Sequence, residues 1–337
     1  MCTNLTIQNK LRDKPMISAR TMDFVPELKT KIYFYPREQS FPETAQPGEM
    51  KWINEYGFIT MTHTYPGVPG HGFSDGLNEE GLSAAALWLE ITKYPEPEHD
   101  KHMLYNINLV SYILGSFKRV DEIINVLKDI TVADFSRVSK EARLPLHYII
   151  SDITGKHLII EFINGEMKTY MNETGVLTNE PAYDWQQQNL FNYENLKLIN
   201  NPKPCWGDEL YGSGQIGMPG DPTAVSRFVR AEFLSQNEFH PKNIQESIGA
   251  AFQIIQNLAV PCGTVYLSGE KDKYDWTQWC VIRDHTHRSI YFYSAFNSRL
   301  YGIHMKELDM DDFKKRYINV IQPNWYVDVT RKMQVEY

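Results

Sequence analysis

Strand-like and helix-like segments fall into separate blocks along this chain, and that order limits its fold more than any other feature. Short runs rich in β-branched, aromatic or other apolar residues predict strands at 2–8, 16–22, 31–36, 57–63, 82–89, 147–152, 157–163, 168–171, 175–181, 277–283, 289–294 and 300–304. Apolar residues at three- and four-residue spacing predict helices at 106–117, 120–130, 224–236 and 242–258. Segregated blocks indicate antiparallel sheets covered by helices, because a parallel sheet needs strands and helices in alternation. We therefore expect an α+β sandwich of two stacked, mainly antiparallel sheets with a helical layer on each outer side.

Glycine and proline mark the expected connections between these blocks. Residues 65–72 are dense in both and predict a loop, and residues 75–82 predict a turn whose glycines supply backbone freedom. No internal repeat, low-complexity tract or linker divides the sequence. One domain over residues 1–337 is therefore the favoured organisation.

Composition excludes several classes of protein. The 337 residues are 42% hydrophobic and 23% charged, which is typical of a globular chain and not of a disordered or membrane protein. A net charge of −8 without a basic stripe argues against a nucleic-acid partner. The four cysteines are scattered, form no CxxC pair and are too few for a disulfide scaffold. We therefore expect no metal and no other cofactor.

The first residues bear on the compartment. They include Asn4, Gln8, Asn9 and Lys10 and contain no apolar stretch of the kind found in a secretory signal. The chain as given is therefore expected in the cytoplasm, away from the membrane. A periplasmic location is the alternative if the chain is the processed form of an exported protein.

Cys2 is the first candidate for chemistry, because it directly follows Met1. Removal of Met1 would leave one residue with both a thiol and a free α-amino group. A thiolate is a strong nucleophile, and an α-amine with an ordinary pKa of about 7.7–8.0 is suited to act as its base near neutral pH. The alternative is a cysteine that only packs, since free cysteines are usually buried apolar residues.

For each of the other candidate site residues, an ordinary structural role is the alternative. Arg20 near a thiol would stabilise its anion and Asp23 could hold or orient the amine, although such a pair is more often a surface ion pair. Trp88 could be a core residue or the wall of a pocket. The side-chain amide of Asn179 could donate to a developing oxyanion, but asparagine is also a routine turn residue. His147 and His157 are predicted to be structural, because neither has a partner at metal-ligand spacing.

Five motifs follow one another along the chain: Met1-Cys2-Thr3, Arg20-Thr21-Met22-Asp23, Asn78-Glu79-Glu80-Gly81-Leu82, Leu177-Thr178-Asn179-Glu180-Pro181, and Pro219-Gly220-Asp221 with Ser226-Arg227-Phe228. In order and approximate spacing, these motifs resemble the choloylglycine hydrolase family, which contains penicillin V acylases and conjugated bile acid hydrolases. The resemblance covers essentially the whole chain, and it implies the N-terminal nucleophile (Ntn) hydrolase superfamily and a four-layered αββα fold.

The resemblance also implies roles for individual residues. Cys2 would be the nucleophile and its own amine the base, with Arg20 and Asp23 beside them. The oxyanion hole would consist of the Asn179 side chain and the backbone N–H at the position of Trp88. Arg227 would hold the polar network around the nucleophile.

Trp88 departs from the better-known members of the family. Many bile-acid-cleaving relatives have Asn there and Gram-positive penicillin V acylases tend toward Tyr, whereas Trp resembles a subgroup of penicillin V acylases that also cleave acyl-homoserine lactones. With Phe24 it would line an aromatic pocket for a phenoxyacetyl group or a fatty acyl chain. Met22 and His63 are assigned to the same substrate-binding site.

The resemblance therefore implies an amidase that cleaves linear C–N bonds through an acyl-thioester, most similar to penicillin V acylase. The small-molecule substrate would be penicillin V, an acyl-homoserine lactone or, as the main alternative, a conjugated bile acid. Two alternatives belong to other classes of protein: a non-catalytic ligand-binding relative and a metal-dependent amidase. A homo-oligomer, dimer or tetramer, is expected, although the segment between Asn179 and Arg227 is shorter than in members that form tetramers through a hairpin there.

Overall fold

The computed structural model describes residues 1–7, 15–68, 70–98, 100–201, 210–237 and 241–333. The predicted strand end at Gln8 and one of the four cysteines, Cys205, lie outside these ranges. In chain order the strands are β1 (Cys2–Ile7), β2 (Ile17–Phe24), β3 (Lys31–Tyr35), β4 (Ser40–Phe41), β5 (Trp52–Ile53), β6 (Phe58–His63), β7 (Gly72–Asn78), β8 (Ser83–Trp88), β9 (His102–Tyr105), β10 (Ile130–Ala133), β11 (Leu146–Ser151), β12 (His157–Ile163), β13 (Glu166–Asn172), β14 (Val265–Tyr266), β15 (Tyr274–Asp284), β16 (Ser289–Ser294), β17 (Asn297–His304) and β18 (Arg316–Asn319). The α-helices are α1 (Leu109–Ser116), α2 (Val120–Val126), α3 (Tyr183–Asn189), α4 (Ala224–Gln236) and α5 (Ile244–Leu258). Short 3-10 helices lie at Asn106–Asn108, Leu127–Asp129, Phe135–Arg137, Leu190–Tyr193, Ser213–Gln215, Met305–Glu307 and Thr330–Lys332.

Two antiparallel sheets contain most of these strands. The first has the order β1-β2-β15-β16-β17, with β14 paired to β15, and the second has the order β13-β12-β11-β8-β7-β6-β3-β18. Each strand of the predicted 147–171 meander pairs with its neighbour in sequence through a short turn. Two small pairs, β4 with β5 and β9 with β10, lie outside the main sheets.

Side-chain alternation along the second sheet separates two apolar layers. Ile149 and Ile159 pack in the same cluster as Leu5 of the first sheet. Their neighbours Tyr148 and Leu158 instead join the cluster that contains α1 and α2. Because successive side chains of a strand point to opposite faces, strands that are apolar at every position must be covered on both sides.

Helices supply the two outer layers. α4 and α5 pack on β1 and β2 of the first sheet, and α1 packs on β7 and β8 of the second. Capping side chains begin both helices on the first sheet: Thr223 Oγ1 accepts from the Ser226 amide and Asn243 Oδ1 accepts from the Glu246 amide. The resulting αββα sandwich confirms the fold expected from the sequence.

The prediction of a turn over residues 75–82 was wrong for its first half, which lies in strand β7. Gly76 was expected to supply backbone freedom in a turn, but its lack of a side chain instead lets α1 and β6 lie close to this strand. A Cβ at this position would collide with the Leu114 side chain of α1 and the carbonyl oxygen of Ile59. The strand therefore places Asp75, a residue assigned no role from the sequence, in the middle of the second sheet.

Three other boundaries differ from the predictions. The helix predicted at 120–130 ends at Val126, because Ile130–Ala133 pairs in parallel with β9. The strand predicted at 175–181 makes only one isolated bridge, between Leu177 and Asn4. Arg316–Asn319, in a charged segment with no strand prediction, pairs with β3 at the edge of the second sheet.

Candidate active site

Cys2 is the first residue of β1 and lies opposite Met22 of β2. The side chain is 3% exposed, and its Sγ lies 3.8 Å from Met22 Sδ. The outer edge of β1 is covered by the 175–179 segment, since the Asn4 N–H donates to the Leu177 carbonyl (2.7 Å) and the Leu177 N–H donates back (3.0 Å). This pairing is what brings Asn179 beside Cys2, although the two are far apart in sequence.

Arg20 lies on the same face of β2 as Met22, two residues before it, and approaches the thiol from below. Its Nη2 is 3.5 Å from Cys2 Sγ, and the guanidinium also donates to the carbonyl oxygens of Ser74 and Ala86. Asp75 Oδ2 lies 3.2 Å from Arg20 Nη1. Burial alone would lower the pKa of Arg20, but the charges of Cys2 and Asp75 outweigh it and raise this pKa, so the guanidinium is a fixed cation beneath the sulfur.

Asp23 points away from the thiol, on the opposite face of β2. Its carboxylate accepts hydrogen bonds from the hydroxyls of Thr21 (3.2 Å) and Thr277 (2.5 Å), and lies 3.8 Å from Arg227 Nη1. Burial raises the pKa of Asp23, against the opposing effect of Arg227. The side chain therefore belongs to a buried polar cluster behind β1.

Asn179 and Arg227 connect this cluster to Cys2. The Cys2 N–H donates to Asn179 Oδ1 (2.7 Å), which also accepts from Arg227 Nη2 (2.8 Å), and Arg227 Nη1 donates to the Cys2 carbonyl (2.6 Å). Asn179 Nδ2 donates to the carbonyl oxygen of Trp88 (2.7 Å). These contacts hold the asparagine amide in one orientation between Cys2 and the end of β8.

Met1 precedes Cys2 in this structure, so the nitrogen of Cys2 is a peptide nitrogen. The α-ammonium belongs to Met1, which donates to the Asp23 carbonyl (2.7 Å) and lies 3.0 Å from Asp275 Oδ2. Met1 thus extends the β1–β2 pairing by one residue, with its carbonyl accepting from the Asp23 N–H (2.9 Å).

A mostly apolar pocket opens beside Cys2 Sγ. It contains about 540 Å³ of empty space, including the space at its mouth. The Phe24 ring centroid lies 5.9 Å from that of Trp88 and 6.3 Å from that of Tyr65, so three rings share one side of the pocket. Apolar side chains on the remaining walls are Met22, Leu28, Phe73, Ile107, Leu144 and Leu146.

His63 is a polar group in this apolar lining. Its Nδ1 is buried and has no hydrogen-bond partner among the described residues. Burial, helped by the charge of Arg20, lowers the pKa of His63 to about 4, so the imidazole is neutral at neutral pH. A neutral imidazole can both donate and accept a hydrogen bond.

All the residues assigned to the site from the sequence lie around the pocket or directly behind it. Cys2, Arg20, Met22, Phe24, His63 and Trp88 line the pocket, while Asp23, Asn179 and Arg227 form the polar network behind Cys2. Sequence reasoning missed Asp75, which is shared by Arg20 and Arg283, and Thr277, which holds Asp23. No sequence signal marked Asp75, because the glycines around it predict an exposed turn, where an aspartate needs no charged partner. As predicted, His147 and His157 make structural contacts, with Glu161 and Ser151 respectively.

The described ranges offer no group of three or more His, Cys, Asp or Glu side chains arranged to hold a metal ion. Within the same ranges, no helix is both long enough and apolar enough to cross a membrane.

The αββα sandwich, with a cysteine at the start of the edge strand β1 and an arginine against its sulfur, has the architecture of the Ntn hydrolases. Comparison with known families is more specific. The family model described as linear amide C–N hydrolases, choloylglycine hydrolase family, matches residues 2–318, and the chain belongs to this family. It is accordingly a hydrolase of linear amides.

Two relatives with different named activities are similar to this chain over most of its length. A bile salt hydrolase/transferase from Clostridium perfringens is 30% identical over 323 residues, covering 92% of this chain and 94% of the relative. A penicillin V acylase from Pectobacterium atrosepticum is 28% identical over 326 residues, covering 91% of this chain and 82% of the relative.

Solved structures divide in the same way. A variant of conjugated bile acid hydrolase from C. perfringens superposes with a TM-score of 0.85 at 26% identity, over 98% of this chain and 100% of that one. Penicillin V acylase from Agrobacterium tumefaciens superposes with a TM-score of 0.78 at 25% identity, over 94% of this chain and 91% of that one. The family and reaction class are therefore established, and the acyl group is the open question.

Proposed function

We propose that Cys2, freed by removal of Met1, is the nucleophile of an amidase that prefers aromatic acyl groups of the phenoxyacetyl type. One observation carries this proposal. Cys2 Sγ faces the apolar pocket 3.5 Å from Arg20 Nη2, while the Cys2 nitrogen is held 2.7 Å from Asn179 Oδ1. The attacking atom and the group that would become its base are thus both oriented by charged or polar partners.

The reaction follows from these positions. The free α-amine takes the thiol proton, and the thiolate, stabilised by Arg20, attacks the amide carbonyl carbon. The C–N bond breaks as the amine passes that proton to the leaving nitrogen, which leaves an acyl-thioester on Cys2. Water then attacks the thioester while the amine accepts its proton, the acid is released, and the thiol is restored.

Two donors are proposed for the oxyanion. The Asn179 amide has two N–H groups, and only one is used by the Trp88 carbonyl (2.7 Å), so the second is available. The N–H of Trp88 is the other donor. Ala86 and Trp88 lie two residues apart in β8, and their carbonyls accept from Arg20 and Asn179 respectively. Because backbone groups two residues apart face the same edge of a strand, we expect the Trp88 N–H at the edge where these two carbonyls meet Arg20 and Asn179.

The shape of the pocket supports an aromatic acyl group. Phe24, Tyr65 and Trp88 present three rings to one space, and an aryl ring can pack against them in tilted or edge-to-face geometry. His63 supplies a neutral polar contact inside this lining, suited to the ether oxygen or amide of such a substrate.

Intact mass spectrometry tests the nucleophile. The purified protein should lack Met1, and it should gain the mass of the acyl group on Cys2 when mixed briefly with a phenoxyacetyl amide. Cys2→Ala should abolish the adduct and turnover, while Cys262→Ser, a change at an exposed cysteine, should retain both. Full activity in Cys2→Ala, or in protein that retains Met1, would contradict the proposal.

Conjugated bile acids are the second candidate substrate. This alternative is favoured by the 30% identity to the C. perfringens bile salt hydrolase/transferase and by the TM-score of 0.85 for the conjugated bile acid hydrolase. Release of phenoxyacetate, cholate and homoserine lactone from matched substrates should be compared. A higher kcat/KM for the bile acid conjugate would reverse our ordering. Acyl-homoserine lactones are included because Trp88 links this chain to members that cleave them.

The expected homo-oligomer and the compartment stay predictions. Sedimentation velocity at several protein concentrations would measure the first, and fractionation of the producing cells would measure the second.

A further inference from the structure

The wall of the substrate pocket contains a segment without regular structure, residues 25–30, between β2 and β3. Phe24 directly precedes this segment and Leu28 lies within it, and both side chains line the pocket beside Cys2. The other side of the same segment lines a second cavity of about 1030 Å³, including its mouth, through Glu27, Lys29 and Thr30. The segment is therefore a thin partition, and its position depends on what holds its backbone.

Gln278 of β15 makes that attachment. Its Nε2 donates to the carbonyl oxygens of Phe24 (2.9 Å) and Pro26 (2.8 Å), and its Oε1 accepts from the Leu28 N–H (2.9 Å). Both amide hydrogens and the amide oxygen are thus committed to one five-residue stretch. The side chain is 7% exposed, so water does not compete freely for these bonds.

A β-bulge explains why Gln278 can do this. In the pairing of β15 with β2, Thr277 lies opposite Asp23 and Trp279 lies opposite Met22, so Gln278 is the extra residue. A bulge residue has no opposite partner, and its side chain is turned out of the regular alternation. Here the neighbours of the bulge also hold the site, since Thr277 Oγ1 donates to Asp23 Oδ1 (2.5 Å) and Trp279 Nε1 donates to Thr30 Oγ1 (2.9 Å).

We propose that Gln278 is a positioning residue for acyl selectivity: its three hydrogen bonds fix Phe24 and Leu28 at the distance from Cys2 that an aromatic acyl group requires. Gln278 touches no reacting atom in this scheme. It acts through the pocket wall, so its loss should weaken binding of large acyl groups while leaving the chemistry at the sulfur intact. The inference rests on the proposed function and adds a determinant of its substrate class.

Gln278→Met tests the proposal, because methionine keeps the length and volume of glutamine but cannot make these bonds. With phenoxyacetyl and acetyl amides of the same amine, the ratio of their kcat/KM values should fall about tenfold through the KM of the phenoxyacetyl amide. The kcat for the acetyl amide should stay unchanged. Gln256→Met, at an exposed position on α5, is the matched control.

Hydrogen exchange gives a second measurement that does not depend on catalysis. The Leu28 amide is protected by Gln278 Oε1, so its exchange should be faster in Gln278→Met than in the native protein. An unchanged selectivity ratio, an equal loss of kcat for both amides, or unchanged Leu28 exchange would each overturn the inference. If the native protein hydrolyses neither amide, the proposed function fails, and Leu28 exchange still tests the attachment.

Should Gln278→Met not fold, Gln278→Glu replaces it in the same assays. Glutamate keeps an oxygen for the Leu28 N–H but has at most one hydrogen to donate, so at least one of the bonds to the carbonyls of Phe24 and Pro26 is lost. Selectivity should then fall while Leu28 exchange stays slow, and unaltered selectivity in a folded Gln278→Glu would overturn the proposal.

Discussion

Replacing Asn179 with aspartate separates its two kinds of hydrogen bond. Its Oδ1 accepts from the Cys2 nitrogen (2.7 Å) and from Arg227 (2.8 Å), and aspartate retains an oxygen for both. Its Nδ2, bonded to the Trp88 carbonyl and proposed to donate to the oxyanion, becomes a second carboxylate oxygen. The substitution therefore removes the amide's hydrogen-bond donation and preserves its contacts with Cys2 and Arg227.

The expected effects on rate and on stability differ in size. Loss of one oxyanion donor lowers kcat by about 10²- to 10³-fold, or about 2.7–4 kcal/mol in the barrier. Loss of the bond leaves the Trp88 carbonyl without its donor and beside a carboxylate oxygen, which costs the fold about 1–3 kcal/mol. The stronger pairing of a carboxylate with the buried Arg227 guanidinium offsets part of that loss. We therefore expect a large fall in kcat and a small change in Tm.

Steady-state kinetics with a phenoxyacetyl amide, thermal unfolding and the mass of the acyl adduct are the measurements. Asn192→Asp, at an exposed position after α3, introduces the same charge away from the site and should behave as the native protein does. A value of kcat for Asn179→Asp above about a tenth of the native one would refute an oxyanion role. A large fall in Tm would show that the residue acts mainly in folding.

Three further predictions follow from the buried charges. Burial raises the pKa of Glu232 to about 7 from an ordinary 4.5, so the folded protein keeps a proton that the unfolded chain releases. The free energy of unfolding should therefore fall between about pH 4.5 and 7, by at most roughly 3 kcal/mol. Urea unfolding of Glu232→Gln should lack this fall, and an identical pH dependence in both proteins would contradict it. Asp75→Asn leaves the guanidiniums of Arg20 and Arg283 without their shared carboxylate. The free energy of unfolding, measured in urea, should fall by about 3–5 kcal/mol, and a loss below about 1 kcal/mol would argue against a stabilising role for this ion cluster. The pKa of His63 is lowered to about 4, so His63→Gln should change KM but keep any inflection of kcat/KM between pH 6 and 8. Loss of that inflection in the variant would show that the imidazole titrates in this pH range.

Regular strands were well predicted because their signal is local. β11 and β12 alternate between two apolar layers, and each short turn between neighbouring strands is marked by glycine. The failures occurred where a distant partner decides the conformation. Ile130–Ala133 continues a helical pattern in the sequence, but pairing with β9 makes it a strand. β7 contains two glycines and an aspartate, which are typical of a turn, yet its backbone is held between β6 and β8.

By itself, the sequence determined the residue types of the site and the layered fold, because these follow from side-chain chemistry and from the order of apolar patterns. It also predicts Cys2 as the nucleophile. The tertiary structure alone decided which polar groups meet. Asp75 joins two arginines beneath the sulfur, and Gln278 reaches the pocket wall through a bulge. Such contacts join segments more than fifty residues apart, and no local pattern encodes them, because the energy of a buried hydrogen bond depends on where folding places its partner.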